Sequence, residues 1–385
     1  ENHNSAYLVW HSLDIKGATL IHLDAHDDCR YVPPESLDTL HGFVTNRDYQ
    51  AIARLSDIGM SFSFLVKPSH FLFGIGNFIY PCIMDGTISN FWWVVPDATL
   101  EPPAKQRLQA HLQAVLHLPA PLQVTDDGPG RFAFSLSNAT ISVSTVDALP
   151  AMPPGALLDI DTDFFVFPIA LTDTQFQGRL TWDPAALCAD LRQRVPAPKA
   201  VTISSSVWGG YLPLKYRFIS DACFQHAASG RYPEYAGQLS RAVEELWQRP
   251  RLASIAPPGA ESPGFEAAYH HLNGLILLAQ GKYDDGTNGI LRAAQLSPVY
   301  AKGLLDAAEG FTYLRRFGAA RDALAQFERM AGRETLPSSA ARALLLLEEG
   351  KTEDAEALAR KLVEWDRDPH TLLVLGGTLA RQKKP

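Results

Sequence analysis

Short apolar segments alternate with helical segments over the first 250 residues of this 385-residue chain. The apolar segments are rich in β-branched and aromatic residues, as buried strands are, and cover residues 18–23, 91–95, 156–160 and 200–204. Helical spacing marks residues 104–118, 184–195 and 238–248. Strands that alternate with helices predict an α/β fold whose mostly parallel sheet is covered on both faces, and ligands in such folds bind at the carboxyl ends of the strands.

A proline-rich stretch separates this part of the chain from a second one. Residues 248–265 hold four prolines and two glycines without apolar periodicity, which is typical of a linker. We therefore predict a first domain over residues 1–250, a linker over 251–264 and a second domain over 265–385.

The second domain contains a sequence repeat. Its apparent turns are 34 and then 35 residues apart, and a proline follows the second helix of each unit; the turns begin at Gly281, Arg315 and Gly350, and the prolines are Pro298, Pro337 and Pro369. A period near 34 residues resembles tetratricopeptide repeats, which stack helix pairs into a solenoid with a groove. A plain helical bundle is the alternative.

Acidic residues and histidine follow two of the predicted strands at a spacing of two. Because side chains two apart on a strand point the same way, each set converges at a strand end. The first set is Asp24, His26 and Asp28, and the second is Asp159, Asp161 and Asp163.

Carboxylates crowded at neighbouring strand ends repel one another unless protons or cations intervene. A bound pair of metal ions is the simpler solution here. Carboxylate and imidazole ligands without thiolate suit Mn²⁺ or a similar divalent ion better than structural zinc. The alternative is that these aspartates are only helix caps and turn residues.

The strings DAHDD at 24–28 and DIDTD at 159–163 resemble the ureohydrolase superfamily, the arginases and agmatinases. The resemblance implies an arginase-like three-layer α/β/α fold and two Mn²⁺ ions. It assigns one ion to His3, Asp24, Asp28 and Asp159, and the other to Asp24, His26, Asp159 and Asp161. Asp163 is then structural or supports a ligand, and His22 is a buried, hydrogen-bonded histidine.

Two further histidines enter by the same resemblance. The family has an earlier histidine ligand, which matches His3 in ENHNSAYLVW, and we expect the strand that leads into this loop to precede Glu1. His41 follows Asp28 by thirteen residues and precedes Gly42, as the proposed proton shuttle of arginases does. The catalytic residues implied are Asp28, which accepts or relays a proton, and His41.

Several phrases in order resemble one branch of the superfamily, the peptide arginases that convert arginine to ornithine in ribosomally made peptides. They span roughly residues 1–250: ENHNSAYLVW, IHLDAHDD, GIGNFIYP, FWWVVPD, LLDIDTDFF and VTISSSVWGGYLP. Residues 201–206 lack the acid with which free-arginine enzymes hold the guanidinium, and residues 29–31 lack the family's contacts to a free amino acid. The resemblance therefore implies hydrolysis of arginine side chains in a peptide, with urea as the second product.

Different functions remain open. A deacetylase-type amidohydrolase on the same fold would use Tyr211 of the Gly209-Gly210-Tyr211 string to stabilise an oxyanion. Two more functions fit the sequence: a ureohydrolase of small guanidino compounds and a helical-repeat adaptor. We expect an arginine-containing precursor peptide as the partner, held by the repeat domain.

Composition excludes several classes of protein. There are 34 basic and 42 acidic residues, a net charge of −8, and no segment of the sequence clusters Lys and Arg between aromatics, so we expect no nucleic-acid partner. The longest apolar run, residues 90–95, is too short for a membrane helix, and we expect no signal peptide because the first residues lack the charged and then apolar pattern. The four scattered cysteines fit a reducing compartment, and we expect a cytoplasmic location.

Overall fold

The computed structural model describes residues 3–56, 71–126, 128–171, 179–259, 262, 264–365 and 369–382. The chain divides into two compact units. The first comprises the described residues up to 213 together with 219–233, and the second comprises 214–218 and the described residues from 234 onward.

The first unit is built on a mostly parallel sheet, which has six strands among the described residues. They are β1 (Ala18–Leu23), β2 (Ile88–Val95), β3 (Arg131–Leu136), β4 (Ala139–Thr145), β5 (Leu157–Asp161) and β6 (Ala200–Ser204). Their order across the sheet is β3-β4-β2-β1-β5-β6. Neighbouring strands are parallel except for the β3–β4 hairpin at one edge. The α/β prediction and the four predicted strands are confirmed, whereas β3 and β4 were not predicted.

Seven α-helices belong to this part of the described chain: α1 (Ser5–Ser12), α2 (Pro34–Thr45), α3 (Tyr49–Leu55), α4 (Ile79–Met84), α5 (Pro102–Val115), α6 (Pro184–Arg194) and α7 (Phe218–Ser229). Proline opens α2, α5 and α6, where its missing N–H costs nothing. Asp183 caps α6 by accepting a hydrogen bond from the Ala185 amide at 2.9 Å, as its sequence position predicts.

The core of the first unit explains why β1 is central. Its residues Leu20, Ile21 and Leu23 are fully buried, and large aromatic side chains such as Trp10 and Trp93 fill the surrounding space. Burial of each such side chain contributes roughly 1.5–3 kcal/mol. Strands β1 and β5 are adjacent and parallel, so their carboxyl ends lie at the same edge of the sheet.

The second unit consists mainly of helices in the part of the chain that the structure describes. Its helices are α8 (Glu234–Gln248), α9 (Glu266–Ala279), α10 (Tyr283–Leu296), α11 (Lys302–Tyr313), α12 (Phe317–Ala331), α13 (Leu336–Glu348), α14 (Thr352–Trp365) and α15 (Pro369–Arg381). Helices α9 and α10, α11 and α12, and α13 and α14 pack as pairs, and α13 also packs on α11 and α15. Helix α8 packs on α9, so contacts group it with this unit, whereas the sequence pattern placed it in the first domain.

The three pairs share one turn geometry at the repeated sequence positions. Gly281, Arg315 and Gly350 have φ values of 83°, 57° and 84°. Each is followed by a residue whose amide donates to a carbonyl five residues earlier, for example Lys282 to Leu277 at 2.9 Å. This is the left-handed C-terminal cap that glycine favours. The turn at the end of each first helix therefore accounts for the spacing seen in the sequence.

A membrane-spanning helix requires a long and continuously apolar segment. None of the helices in the described part of the chain meets that requirement.

Candidate metal centre

A buried cluster of aspartates and histidines lies at the carboxyl ends of β1 and β5. Asp24 follows the last residue of β1, and Asp159 and Asp161 belong to β5. His22 of β1 lies directly opposite Asp159 in the parallel register. The two strands with polar ends that the sequence indicated are therefore neighbours, and their side chains meet.

His3 is the residue that contacts most of this cluster. Its Nε2 lies 3.0 Å from Oδ2 of Asp159, and its Nδ1 lies 3.3 Å from Oδ2 of Asp24, of Asp28 and of Asp161. The side chain is only 2% exposed. The structure thus brings together five of the six predicted metal ligands, namely His3 and the four aspartates around its imidazole.

The loop that carries His3 is anchored by hydrogen bonds. The side-chain amide of Asn4 donates to the Ser56 carbonyl at 2.6 Å, and the Ala6 amide donates to the His3 carbonyl at 2.9 Å. The ring of Phe78 packs against the imidazole of His3, with centroids 5.3 Å apart. These contacts hold a histidine from the start of the chain against β1 and β5.

The sixth predicted ligand, His26, contacts Asp24 and Asp163. Its Nδ1 lies 2.9 Å from Oδ2 of Asp163 and 3.3 Å from Oδ1 of Asp24, and its backbone amide donates to the same Asp24 oxygen at 2.7 Å. The sequence resemblance paired His26 with Asp161 instead. The structure adds Asp163 to the residues that can bind a cation.

His22 is fully buried within the cluster. Its Nδ1 donates to Oδ2 of Asp159 at 2.8 Å, as the interpretation of a hydrogen-bonded histidine requires. Its Nε2 lies 3.2 Å from Oδ2 of Asp24 without forming a hydrogen bond. His22 therefore both positions Asp159 and presents a second nitrogen to Asp24.

Hydroxyl groups next to the cluster hold two of the aspartates in place. The Thr202 hydroxyl donates to Asp159, and the Ser206 hydroxyl donates to Asp161. The hydroxyl oxygens of Ser204 and Ser206 are 3.0 Å apart. From the sequence, residues 201–206 were noted only because they lack an acidic residue. The signal that could have revealed their role is a period-two series of hydroxyls on and after β6, the neighbour of β5.

Two groups of side chains have donor atoms within 4.8 Å of one another: His3, His22, Asp24 and Asp28, and Asp24, His26 and Asp163. Several of these atoms are buried and have no hydrogen-bond partner among the described residues, namely both ring nitrogens of His3, Nε2 of His22, Oδ2 of Asp24 and Oδ2 of Asp163. Leaving such groups unsatisfied is costly. Carboxylate oxygens and imidazole nitrogens, with no thiolate, fit a hard-to-borderline divalent ion, so the cluster can hold metal.

The charges of the cluster shift its pKa values strongly. Burial, and then the charge of Asp24, raises the pKa of Asp28 to about 7. Burial alone would lower the pKa of His22, but the hydrogen bond to Asp159 and the close carboxylate of Asp24 raise it to about 10. Burial would raise the pKa of Asp159, but the neighbouring His3 and His22 lower it to about 2. Without a cation, retained protons balance the carboxylate charge.

His41 lies apart from both groups of candidate ligands. It is an exposed residue of α2. Its side chain lines a cavity of about 210 Å³ together with Tyr7, Leu37 and Asp85, among others. The structure therefore does not bring His41 to the metal ligands, whereas Asp28, the other predicted catalytic residue, lies among them.

Tyr211 also lies next to the cluster. Its ring meets that of His26 edge to face, with centroids 4.6 Å apart. Phe167 contacts the same imidazole at 5.7 Å. The Gly209-Gly210-Tyr211 string singled out in the sequence is thus adjacent to one group of candidate ligands.

Comparison with protein-family models finds none that matches the chain, and comparison with curated proteins finds no match.

Proposed function

We propose that the first unit is a metal-dependent hydrolase that cleaves the guanidino group of arginine side chains in a peptide, giving ornithine and urea. The observation that carries this proposal is the buried aspartate and histidine cluster at the carboxyl ends of β1 and β5. Several of its inward donor atoms lack hydrogen-bond partners among the described residues, which is expected of ligands that bind a cation.

Two Mn²⁺ ions are the proposed cofactors. We assign His3, Asp24, Asp28 and Asp159 to one ion, and Asp24, His26, Asp159 and Asp161 to the other, following the resemblance. Contact between Asp163 and His26 makes Asp163 a further candidate ligand for the second ion. When bound, such a pair supplies Lewis acidity that activates water for attack on a guanidinium carbon.

Asp28 is the proposed proton acceptor. Its Oδ2 lies among the ligands, 3.3 Å from Nδ1 of His3. Its backbone has φ 44°, and its backbone carbonyl accepts a hydrogen bond from the Ile79 amide at 3.1 Å, which holds this part of the loop after β1 in place. A carboxylate held at the reacting centre can take the proton that water loses on attack.

His41 is the proposed residue that exchanges protons with solvent. The resemblance gives it this role, and its exposed position on α2 allows such exchange. Because His41 does not contact the cluster directly, a His41 variant should retain the metals. The substitution of His41 should lower the rate of peptide hydrolysis without changing metal binding.

A peptide is the proposed substrate. Residues 29–31 follow the cluster without the polar contacts that a free amino acid needs, and residues 201–206 offer Thr202 and Ser206 to the aspartates rather than an acid to the guanidinium. We further propose that the helix pairs of the second unit are tetratricopeptide-like repeats that bind the precursor peptide. Their shared turn geometry supports this assignment.

A deacetylase-type reaction is the second candidate. The contact between Tyr211 and His26 favours it, because a tyrosine hydroxyl beside a metal ligand can stabilise an oxyanion. This reaction would release acetate from acetyl-lysine and no urea.

The test incubates the Mn²⁺-loaded full chain separately with an arginine peptide, free arginine and an acetyl-lysine peptide, and measures urea, ornithine and acetate. We expect urea and peptidyl ornithine in equal amounts, loss of both with Asp159→Asn, and retention with the exposed control Asp14→Asn. Acetate alone would establish the deacetylase instead. Urea from free arginine alone would establish a small-substrate ureohydrolase. Metal binding without any product would contradict hydrolysis and leave the adaptor function.

A further inference from the structure

A cavity of about 390 Å³ lies in the first unit between β5, α6 and α7. Leu158 and Ile160 of β5 line it. Because side chains alternate along a strand, Asp159 and Asp161 point to the opposite face of the sheet. The cavity is therefore separate from the metal cluster, and the proposed hydrolysis does not use it.

The lining of this cavity is largely aliphatic. Its volume falls within the roughly 300–1,000 Å³ that is usual for small-molecule sites. Two buried thiols whose sulfur atoms are 3.5 Å apart add to the apolar surface; they belong to Cys188 and Cys223. The aliphatic side chains are those of Leu158, Ile160, Leu191, Val195 and Val201. Such a surface favours a ligand with a hydrocarbon body.

One polar side chain in the cavity is left unsatisfied. His226 is 8% exposed, and neither of its ring nitrogens meets the geometry of a hydrogen bond with any described residue. Burial, and then the nearby charge of Arg192, lower the pKa of His226, whereas the backbone of Cys188 raises it in part. The net lowering favours the neutral ring, which has one N–H to donate. An unsatisfied buried donor is expected to bind a polar group of a ligand.

The positive charge of Arg192 beside the cavity favours a ligand whose polar group is negatively charged. Arg192 lies on its lining and is exposed to solvent, and its guanidinium has no hydrogen bond or ion pair with another residue that the structure describes. No aspartate or glutamate is among the described residues that line the cavity. A cation without a counter-charge beside an apolar cavity favours an anion, and a guanidinium matches the two oxygens of a carboxylate.

We propose that this cavity binds a small apolar carboxylate. The carboxylate accepts hydrogen bonds from Arg192 and from the N–H of His226, and the hydrocarbon body contacts the aliphatic side chains on β5 and α6. This site is independent of the metal centre and goes beyond the proposed hydrolysis.

The test measures binding of octanoate to the full chain by titration calorimetry, with octanamide as the neutral comparison. We expect octanoate to bind at one site per chain and at least tenfold more tightly than octanamide. Arg192→Gln should weaken octanoate binding about tenfold or more, since hydrogen bonds between charged groups are lost. Arg192 is exposed, so this variant should fold.

Two more variants complete the test. Ala227→Phe places a bulky ring at the edge of the cavity without removing either polar group and should weaken binding by roughly tenfold or more. The exposed control Arg54→Gln should bind octanoate like the unaltered chain. Far-ultraviolet circular dichroism confirms that each variant is folded. Absence of octanoate binding, equal affinity for octanamide, or binding that survives both Arg192→Gln and Ala227→Phe would overturn the proposal.

Discussion

Nε2 of His3 lies 3.0 Å from Oδ2 of Asp159, so the start of the described chain contacts strand β5 inside the buried cluster. His3 precedes the first helix, and Asp159 lies between β1 and β6 in the sheet. The candidate metal centre is therefore formed by a loop as well as by strand ends. Loss of that loop should affect metal binding before it affects the sheet.

Asn4 anchors this loop, and its replacement tests the anchor. Asn4→Ala removes the buried hydrogen bond to the Ser56 carbonyl and should cost about 1–3 kcal/mol of unfolding free energy. Because His3 is adjacent, Mn²⁺ affinity should also fall. Denaturant unfolding and metal titration measure the two effects. Asn46→Ala, at an exposed position, is the control, and equal behaviour of the two variants would contradict the anchoring role.

The repeated turns of the second unit predict opposite effects for two kinds of substitution. Gly281→Ala and Gly350→Ala place a Cβ in the left-handed region and should each destabilise the unit by about 1 kcal/mol. Arg315→Gly relieves the same strain at the middle turn, so the unfolding free energy should stay equal or rise by up to about 1 kcal/mol. Thermal unfolding measures this, and a clear loss of stability in Arg315→Gly would refute the shared turn.

His271 gives the second unit a predicted acid sensitivity. Complete burial, and then the charge of Lys302, lowers its pKa from 6.5 to about 3. Below pH 6.5 the unfolded chain takes up a proton at His271, whereas the folded chain does not. The unfolding free energy of the second unit is therefore unaffected by His271 above pH 6.5 and declines as the pH falls toward 3. The loss at pH 5 should be about 2 kcal/mol.

Replacement of His271 by leucine should remove that part of the pH dependence. Replacement of the exposed His41 by glutamine should leave the pH dependence of the second unit unchanged. Denaturant unfolding between pH 5 and 7, monitored by hydrogen exchange of the helices in the second unit, compares the pH dependence of the two variants. Identical pH profiles for His271→Leu and the unaltered chain would show that the imidazole is protonated in the folded state.

Removal of metal should destabilise the first unit. A ligand that binds only the folded state at 100 times its Kd adds about 2.7 kcal/mol, and here it also neutralises crowded carboxylates. Treatment with a chelator should therefore lower Tm, and added Mn²⁺ should restore it. Asp24→Asn should show neither response. Chelator insensitivity of the unaltered chain would argue against a tightly bound ion.

The apolar periodicity and the composition predicted the α/β sheet and the helical second part, because strands and helices each have a characteristic local sequence pattern. The β3–β4 hairpin escaped prediction since Ser135, Ser142 and Ser144 interrupt the apolar pattern. The proline-rich stretch that follows helix α8 placed this helix in the first domain, whereas its contacts group it with the second unit, because packing partners cannot be read from local periodicity. Its contacts with α9 come from the fold as a whole.

The candidate site could be predicted only in part for the same reason. Asp24, Asp28, Asp159 and Asp161 stand at strand ends with a spacing of two, which is visible in the sequence. The contact of Asp163 with His26 depends on the short 3₁₀ turn after β5. Thr202 reaches Asp159 only because β6 is the neighbour of β5. Such relationships between strands require the sheet order.

Metal stoichiometry decides whether the cluster is a two-ion centre, because Asp24 belongs to both groups of candidate ligands whereas His26 belongs to one. Equilibrium dialysis against Mn²⁺ followed by elemental analysis should give two ions for the unaltered chain, one for His26→Ala and none for Asp24→Asn. Asp161→Asn and Asp163→Asn, measured in the same series, identify which carboxylate completes the second group. Full occupancy in Asp24→Asn, or no bound ion in the unaltered chain, would contradict a metal centre at this cluster.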